Sequence, residues 1–155
     1  MANIIQDKIE ALKLAKYVIW YSNNARISIT HLKLQKILYY LQGAYLSEYR
    51  HPLFDDIIEA WPYGPVVRSV YYAFCAYGSL PLRVPDEAAA FCNELNEDVR
   101  SLINEELDKK LPLSARKLVN MSHRELPWFK HRIEVGQGKK PIITDNDMRE
   151  FFCKS

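Results

Sequence analysis

Glycine, cysteine and long apolar runs are all scarce in this chain. Five glycines in 155 residues argue against a phosphate-binding loop, because such loops need several glycines at fixed spacing. The three cysteines, Cys75, Cys92 and Cys153, are odd in number and far apart, which is typical of reduced thiols rather than of a disulfide framework. No apolar run reaches the roughly 20 residues that a membrane span requires, and the first residues do not resemble a signal peptide. We therefore expect a cytoplasmic protein with no membrane partner.

The side chains that usually carry catalysis or bind metals also lack the necessary spacing. The four histidines, His31, His51, His123 and His131, occur in no His-Glu-x-x-His pattern, and the chain has no Cys-x-x-Cys pair. Zinc sites need ligands that converge on one point, and the sequence contains no recognisable set of acid, base and nucleophile. We therefore expect neither an enzyme nor a protein that binds a cofactor or a metal.

What the chain does contain is an ordinary globular composition with an uneven distribution of charge. Apolar residues make up 48% and charged residues 26%, and the formal net charge is only +2. Residues 86–108 contain eight acids and one base, whereas residues 109–140 contain nine bases and two acids. Such asymmetry is typical of solvated helix faces, and docking of a charged partner is the alternative. The length fits one domain, residues 1–155.

Apolar residues recur at helical spacing along most of the chain, which predicts a mainly α, single compact multi-helix domain. The second helix is expected to begin after Thr30, a good N-cap, and to continue to about Tyr49. The helical pattern of residues 86–110 is interrupted near Asn96. Residues 57–61 and 141–144 are short and β-branched, and we predict that they pair as one small two-stranded element.

The helix after Thr30 carries polar side chains on the side opposite to its apolar residues. Lys33, Lys36 and Tyr40 share one strip and Gln35 lies on the adjoining strip, so the pattern predicts that these four side chains are exposed. Three interpretations are open, namely a solvated face, a basic-aromatic surface that contacts a protein, and a DNA recognition helix. The preceding segment, RISIT, lacks the short glycine-containing turn of a helix-turn-helix motif, which disfavours the DNA interpretation.

Two tryptophans stand where a helix is predicted to meet a loop. Trp61 opens the segment WPYGP and Trp128 closes the segment SHRELPW. In the first segment, Pro65 suits the first position of a following helix, because its missing N–H would have no partner there. A tryptophan ring held beside a proline can either fill space in the hydrophobic core or anchor a protein interface. Both interpretations are open for Trp61 and Trp128.

Four segments of the chain resemble, in order, the Panacea domain, the SocA-like antitoxin family that includes phage-associated GepA-type proteins. They are ITHLKLQKILYYLQGAYL, PLFDDIIEAWPYGPVVRSVYYAFCAYG, SARKLVNMSHRELPW and IITDNDMREFF, and the resemblance extends from about Ile9 to Phe152. It implies a mostly helical antitoxin of a bacterial or prophage toxin–antitoxin pair, which neutralises a cognate protein toxin by direct contact. For some members it implies an adaptor that delivers the toxin to a ClpXP-type protease.

The resemblance also suggests which positions hold the scaffold and which contact the partner. A domain that serves unrelated toxins should keep its scaffold and vary its contact surface. We therefore assign to the scaffold the motif residues Leu34, Trp61, Tyr63, Gly64, Pro65, Val66, His123, Pro127 and Trp128. To partner binding we assign Lys33, Gln35, Lys36, Tyr40 and Arg68. The alternative function is a DNA-binding transcriptional regulator, including autoregulation of the operon, with nucleic acid as its partner.

Overall fold

A single long helix, α2 (His31–Tyr49), forms the centre of the protein, and the computed structural model describes residues 6–153. The helix begins where the sequence predicts, because the Thr30 hydroxyl accepts a hydrogen bond from the Lys33 N–H and caps the first turn. Within α2 only Leu32, Ser47 and Glu48 are exposed. A helix that is buried on all sides must be surrounded by other elements.

Those elements are mostly helices. The four longer ones that pack against α2 are α1 (Ala11–Asn24), α4 (Glu97–Lys110), α5 (Ala115–His123) and α8 (Asp145–Phe152). The shorter ones are α3 (Arg68–Phe74), α6 (Leu126–Phe129), α7 (Arg132–Gly136) and two 3-10 helices, Cys75–Tyr77 and Asp86–Glu94. The predicted mainly α class is confirmed. The predicted interruption near Asn96 is confirmed as well, because the 3-10 helix ends there and the Asn96 side chain caps α4.

A small antiparallel sheet with the strand order β2-β1-β3 lies against α2. Its strands are β1 (Ile58–Trp61), β2 (Gly64–Val67) and β3 (Ile142–Ile143). Ile58 pairs with Ile143 and Glu59 pairs with Ile142, so the predicted pairing of these two segments is confirmed. The sheet has one strand more than we predicted, because β1 also pairs with β2 across a two-residue turn, with Trp61 opposite Gly64.

The position of Pro65 was predicted wrongly. It lies in β2, opposite Ala60, and the helix that we expected to begin at Pro65 begins at Arg68. A proline is tolerated in β2 because this is an edge strand, where a residue without an N–H removes no bond from the interior of a sheet. The local sequence fits both a first helical position and an edge strand, and the pairing with β1 decides between them.

Apolar side chains from the long helices and all three strands meet in one cluster around α2. Gly43 shows how closely the elements approach, because a Cβ at this position would overlap the ring of Phe152 in α8. Within residues 6–153, no helix is long and apolar enough to cross a membrane, and the three cysteines are free thiols. That one domain extends over residues 1–155 stays a prediction.

Candidate partner-binding cleft

The polar strip of α2 is not exposed, contrary to our prediction. Lys33, Gln35, Lys36 and Tyr40 are all buried, and Lys36 is 0% exposed. The spacing correctly places these side chains near one another, but α4, α5 and β2 cover the face on which they lie. A helix covered in this way cannot enter a DNA groove, so the recognition-helix interpretation of α2 is wrong.

These buried polar side chains bind backbone groups of the neighbouring elements. The Lys36 ammonium donates to the Pro65 carbonyl at 2.8 Å, and the Lys33 ammonium donates to the Leu111 carbonyl just after α4. Gln35 accepts a hydrogen bond from the Val67 N–H at 2.6 Å. Since an unsatisfied buried backbone group is costly, these bonds fasten β2 and the end of α4 to α2.

Two tyrosines of α2 hold a carboxylate of the third family motif. The hydroxyls of Tyr39 and Tyr40 donate to the Glu125 carboxylate at 2.9–3.0 Å. Burial and the nearby carboxylate raise the pKa of both phenols, so both stay protonated donors. Burial raises the pKa of Glu125, and the two phenol donors work in the opposite direction. Tyr40 therefore has a partner inside the protein.

Arg68, the remaining residue that we assigned to partner binding, is exposed. Its side chain is 53% accessible, and its guanidinium lies 4.0 Å from the carboxylate of Glu59. The same carboxylate accepts a hydrogen bond of 2.9 Å from the Trp61 indole N–H. Glu59 thereby connects Arg68 to Trp61.

The turn between β1 and β2 is fixed by residues from three parts of the chain, which we call the hairpin lock: Lys36, Gly64, Ser122, His123 and Trp128. Gly64 has a φ of 107°, and a Cβ there would lie 2.8 Å from both Lys36 Cε and Ser122 Oγ. The close approach and the positive φ both require glycine. The hairpin lock thus brings the first three of the four family segments together at one turn.

Trp128 and His123 complete the hairpin lock from the other side of the turn. The Trp128 indole N–H donates to the Trp61 carbonyl at 2.8 Å. The His123 ring stacks on Trp128 with 4.1 Å between centroids. Trp128 is half-buried, and its contacts are those of a residue that positions the turn.

Above the hairpin lock lies an open cleft of about 510 Å³. Its walls are formed by His31, Leu32, Gln35 and Lys36 of α2, residues 61–63 of the hairpin turn, Val66 of β2, Tyr71 of α3, Gly78 and Lys140. The half-buried Trp61 ring forms one wall. Its centroid lies 4.6 Å from the centroid of the Tyr71 ring and 4.0 Å from the Lys140 ammonium.

Among the exposed side chains that border this cleft, we call Leu32, Tyr63 and Lys140 the rim. Tyr63 is 68% exposed and Leu32 is 38% exposed, although a helix normally turns leucine toward the core. Tyr63 belongs to a family motif and was assigned to the scaffold, but its exposure does not fit that assignment. The other motif residues Leu34, Gly64, Pro65, Val66 and Pro127 are buried.

The charged groups of the cleft are basic. Among the described residues 6–153, its walls contain Lys36, Lys140 and His31 and no aspartate or glutamate. Burial lowers the pKa of Lys36 to about 7, because a charged ammonium loses its water there. Burial and then the charge of Lys36 lower the pKa of His31, and the same two causes act on His123.

Comparison with known proteins identifies the family on which this geometry is built. The model of the family described as "Antitoxin SocA-like, Panacea domain" matches residues 34–129. The chain belongs to the SocA-like antitoxin family. The matched range contains the hairpin lock and most of the cleft wall, whereas Leu32 and Lys140 of the rim lie outside it. It is also narrower than the range from Ile9 to Phe152 over which we found resemblance.

A curated relative of this Panacea domain is the protein named Antitoxin SocA from Caulobacter vibrioides (strain NA1000 / CB15N). The two are 37% identical over 78 residues, which make up 50% of this chain and 35% of the relative. The chain therefore aligns with about a third of that protein's length. No solved structure matches the chain.

Sequence reasoning missed most of the rim. Leu32 was overlooked because the pattern was read for polar side chains, although an apolar residue on the polar side of an amphipathic helix is an anomaly that can be recognised. Tyr71 also forms part of the cleft wall. No local signal connects Lys140 with Trp61, which lies far away in sequence.

Proposed function

We propose that this Panacea domain neutralises a cognate toxin by direct protein–protein contact, with the cleft and its rim as the centre of the interface. The observation that carries the proposal is the pair of exposed apolar side chains, Tyr63 and Leu32, beside a cleft that family motifs build. Exposed apolar groups around a concavity mark interaction sites, and aromatic residues dominate binding energy at such sites. A stable interface buries about 1,600 Å² in total, so it would extend beyond the cleft.

The proposal revises our list of contact residues. Arg68 keeps its assignment, because it is exposed and connected to Trp61 through Glu59. Gln35 and Lys36 act from the cleft wall, where they position groups rather than offer a free surface. Lys33 and Tyr40 are engaged inside the protein, so we assign them to the scaffold.

The test is co-expression of the chain with the product of the adjacent open reading frame, followed by affinity purification and a growth assay. The native chain should restore growth and retain the toxin. Tyr63→Ala should weaken the complex about tenfold or more, since a central tyrosine commonly contributes that much. Ile133→Ala is the control, because Ile133 is 65% exposed on α7 and is absent from the cleft walls.

Equal toxin retention by Tyr63→Ala and the native chain would remove the cleft from the interface. Absence of both toxicity and complex for the neighbouring product would count against the pairing itself.

Occlusion and proteolytic delivery are two ways in which the complex would neutralise the toxin. They differ in toxin lifetime, because an adaptor shortens the half-life of its cargo and an occluding partner does not. The toxin is therefore followed after synthesis is stopped, in cells with and without ClpXP. Loss that requires both this chain and the protease identifies an adaptor, and a persistent, inactive toxin identifies occlusion.

One observation favours DNA binding as a second candidate function, on α5 instead of α2. The exposed residues of α5 and its C-cap include Arg116, Lys117, Asn120 and Arg124, and this stretch contains no acid. Such a face suits phosphate contacts, whose affinity falls steeply with salt. The test is a gel mobility-shift experiment with operator DNA at about 50 mM salt, where phosphate contacts are strong. If the protein does not change the mobility of the DNA, this candidate function is eliminated.

A further inference from the structure

We propose that the cleft receives a segment of the toxin in which an acidic side chain neighbours a large apolar one. This inference rests on the proposed function and specifies the chemistry of the partner at that site. It is carried by the combination of apolar walls with basic groups that no wall carboxylate neutralises.

The walls provide the apolar half of the recognition. Trp61 and Tyr71 form a tilted aromatic pair 4.6 Å apart, and Val66 and Leu32 add aliphatic surface. Tyr63 stands at the opening with 68% of its surface exposed. A volume of about 510 Å³ admits one or two side chains rather than a nucleic acid duplex, and the apolar surface would gain nothing from a phosphate backbone.

Lys140 provides a basic group that a ligand can reach. It is exposed, and its ammonium lies 4.0 Å from the centroid of the Trp61 ring. A cation over an aromatic face keeps the rest of its hydration shell, so it can also bind a carboxylate. A ligand beside Trp61 would meet the ring and the ammonium together.

Lys36 adds a second positive charge behind the wall. Within residues 6–153 its ammonium has the Pro65 carbonyl as acceptor, and no carboxylate forms an ion pair with it. An ammonium has three donors, and attraction between charges is stronger where water is excluded. A carboxylate in the cleft would therefore be attracted by Lys36 without touching it.

Within residues 6–153, Glu59 forms no ion pair with Lys36 or Lys140. It lies on β1 outside the cleft walls, where the Trp61 indole N–H donates to it and the Arg68 guanidinium lies nearby. Its carboxylate is therefore engaged by groups other than the two lysines. The cleft therefore stays complementary to an acidic side chain, and complementary charge selects partners and steers their encounter.

The experiment uses two blocked peptides that differ in one group, acetyl-Leu-Glu-Phe-amide and acetyl-Leu-Gln-Phe-amide. Each is titrated into the chain at pH 6.5 while the Trp61 indole N–H resonance is followed by NMR, with assignment from its loss in Trp61→Phe. We expect the glutamate peptide to bind about tenfold more tightly, the factor given by one moderate charge interaction. Added salt should narrow the difference, because the site is open to solvent.

Two variants locate the charge that causes the preference. Lys140→Gln should reduce the ratio of the two affinities to about threefold or less. Lys117→Gln, which removes an exposed lysine of α5 outside the cleft, should leave the ratio unchanged. Equal affinities of the two peptides for the native chain, no shift of the Trp61 resonance with either peptide, or an unchanged ratio in Lys140→Gln would each overturn the inference.

Failure of this inference is distinguishable from failure of the proposed function. A toxin complex that requires Tyr63 but is indifferent to Lys140→Glu would leave the proposed function in place and overturn the acidic segment. Selective binding of the glutamate peptide without any toxin complex would support the chemistry of the cleft and count against the antitoxin pairing.

Discussion

Leu32 and Tyr63 of the rim lie within four residues of Lys36 and Gly64 of the hairpin lock, yet the side chains of the two regions behave in opposite ways. Lys36, Gly64 and Trp128 of the hairpin lock have close contacts to backbone or side-chain atoms of other elements. Leu32 and Tyr63 of the rim are exposed apolar groups. The difference shows that most motif residues build the site, and that the surface offered to a partner comes largely from other residues.

Tyr63 is the informative exception to this division. It belongs to the motif around Trp61, but its neighbours Pro62 and Gly64 hold the turn while its own ring faces solvent. The hairpin lock fixes this turn, and the turn therefore also sets the position of the exposed Tyr63 ring. A change in the hairpin lock should affect both the stability and the position of this ring, whereas a change in Tyr63 should affect binding alone.

The largest expected effect comes from reversing a buried charge of the hairpin lock, compared with reversing the exposed charge of Arg68 outside it. Lys36→Glu places a carboxylate in a fully buried position beside the Pro65 carbonyl, and we expect it to cost more than about 4 kcal/mol of unfolding free energy. Arg68→Glu changes an exposed side chain and should cost about 0.5 kcal/mol or less. Urea unfolding at pH 7 measures both. Similar stabilities for the two variants would mean that Lys36 is not part of a buried lock.

A smaller effect is expected where a methyl group is added to each of two glycines with positive φ. Gly64→Ala combines the strained backbone with Cβ contacts at 2.8 Å, and it should cost about 3 kcal/mol. Gly138→Ala has a φ of 84° but no atom within 4 Å of the new Cβ, so it should cost only about 1 kcal/mol. Thermal or urea unfolding of the pair isolates the contribution of the close approach. Equal losses of unfolding free energy in Gly64→Ala and Gly138→Ala would show that the close approach contributes nothing.

The smallest effect is a dependence of the unfolding free energy on pH, which we expect from Lys36 of the hairpin lock. The pKa of Lys36 is about 7 in the folded chain and about 10.4 for an unperturbed lysine. The unfolded state therefore binds more protons between these values, and stability rises with pH across that window. Between pH 7 and 9 we expect the native chain to gain on the order of 2 kcal/mol relative to Lys36→Met.

The groups near Lys36 do not obscure this comparison. His31 and His123 have lowered pKa values, so they titrate below the window, and the raised phenol pKa values of Tyr39 and Tyr40 lie above it. Lys140→Met is the control from the rim, because it removes an exposed lysine and leaves the buried Lys36 in place. If the difference in unfolding free energy between the native chain and Lys36→Met does not change with pH, Lys36 stays charged or hydrated in the folded protein.

The sequence by itself determined the features that depend on neighbouring residues. Thr30 caps α2 and Ser114 caps α5, because a hydroxyl that accepts the N–H three residues later is a local interaction. Asn96 separates two helical segments for the same reason. The pairing of residues 57–61 with 141–144 was also predicted, since β-branched segments stand out in a mainly helical chain. The family was recognisable from its motifs as well, and the family model confirms it over residues 34–129.

Only the tertiary structure decided which faces are covered. Spacing showed that Lys33, Lys36 and Tyr40 share a side of α2, but their partners Leu111, Pro65 and Glu125 lie 78, 29 and 85 residues away. No local pattern shows that a lysine will be buried against a distant carbonyl. The strand β2 and the cleft arise in the same way, because pairing with β1 places Pro65 and docking of Lys140 completes the wall. The physical reason is that burial and long-range hydrogen bonds are properties of packed elements, whereas periodicity records only which residues of one element lie together.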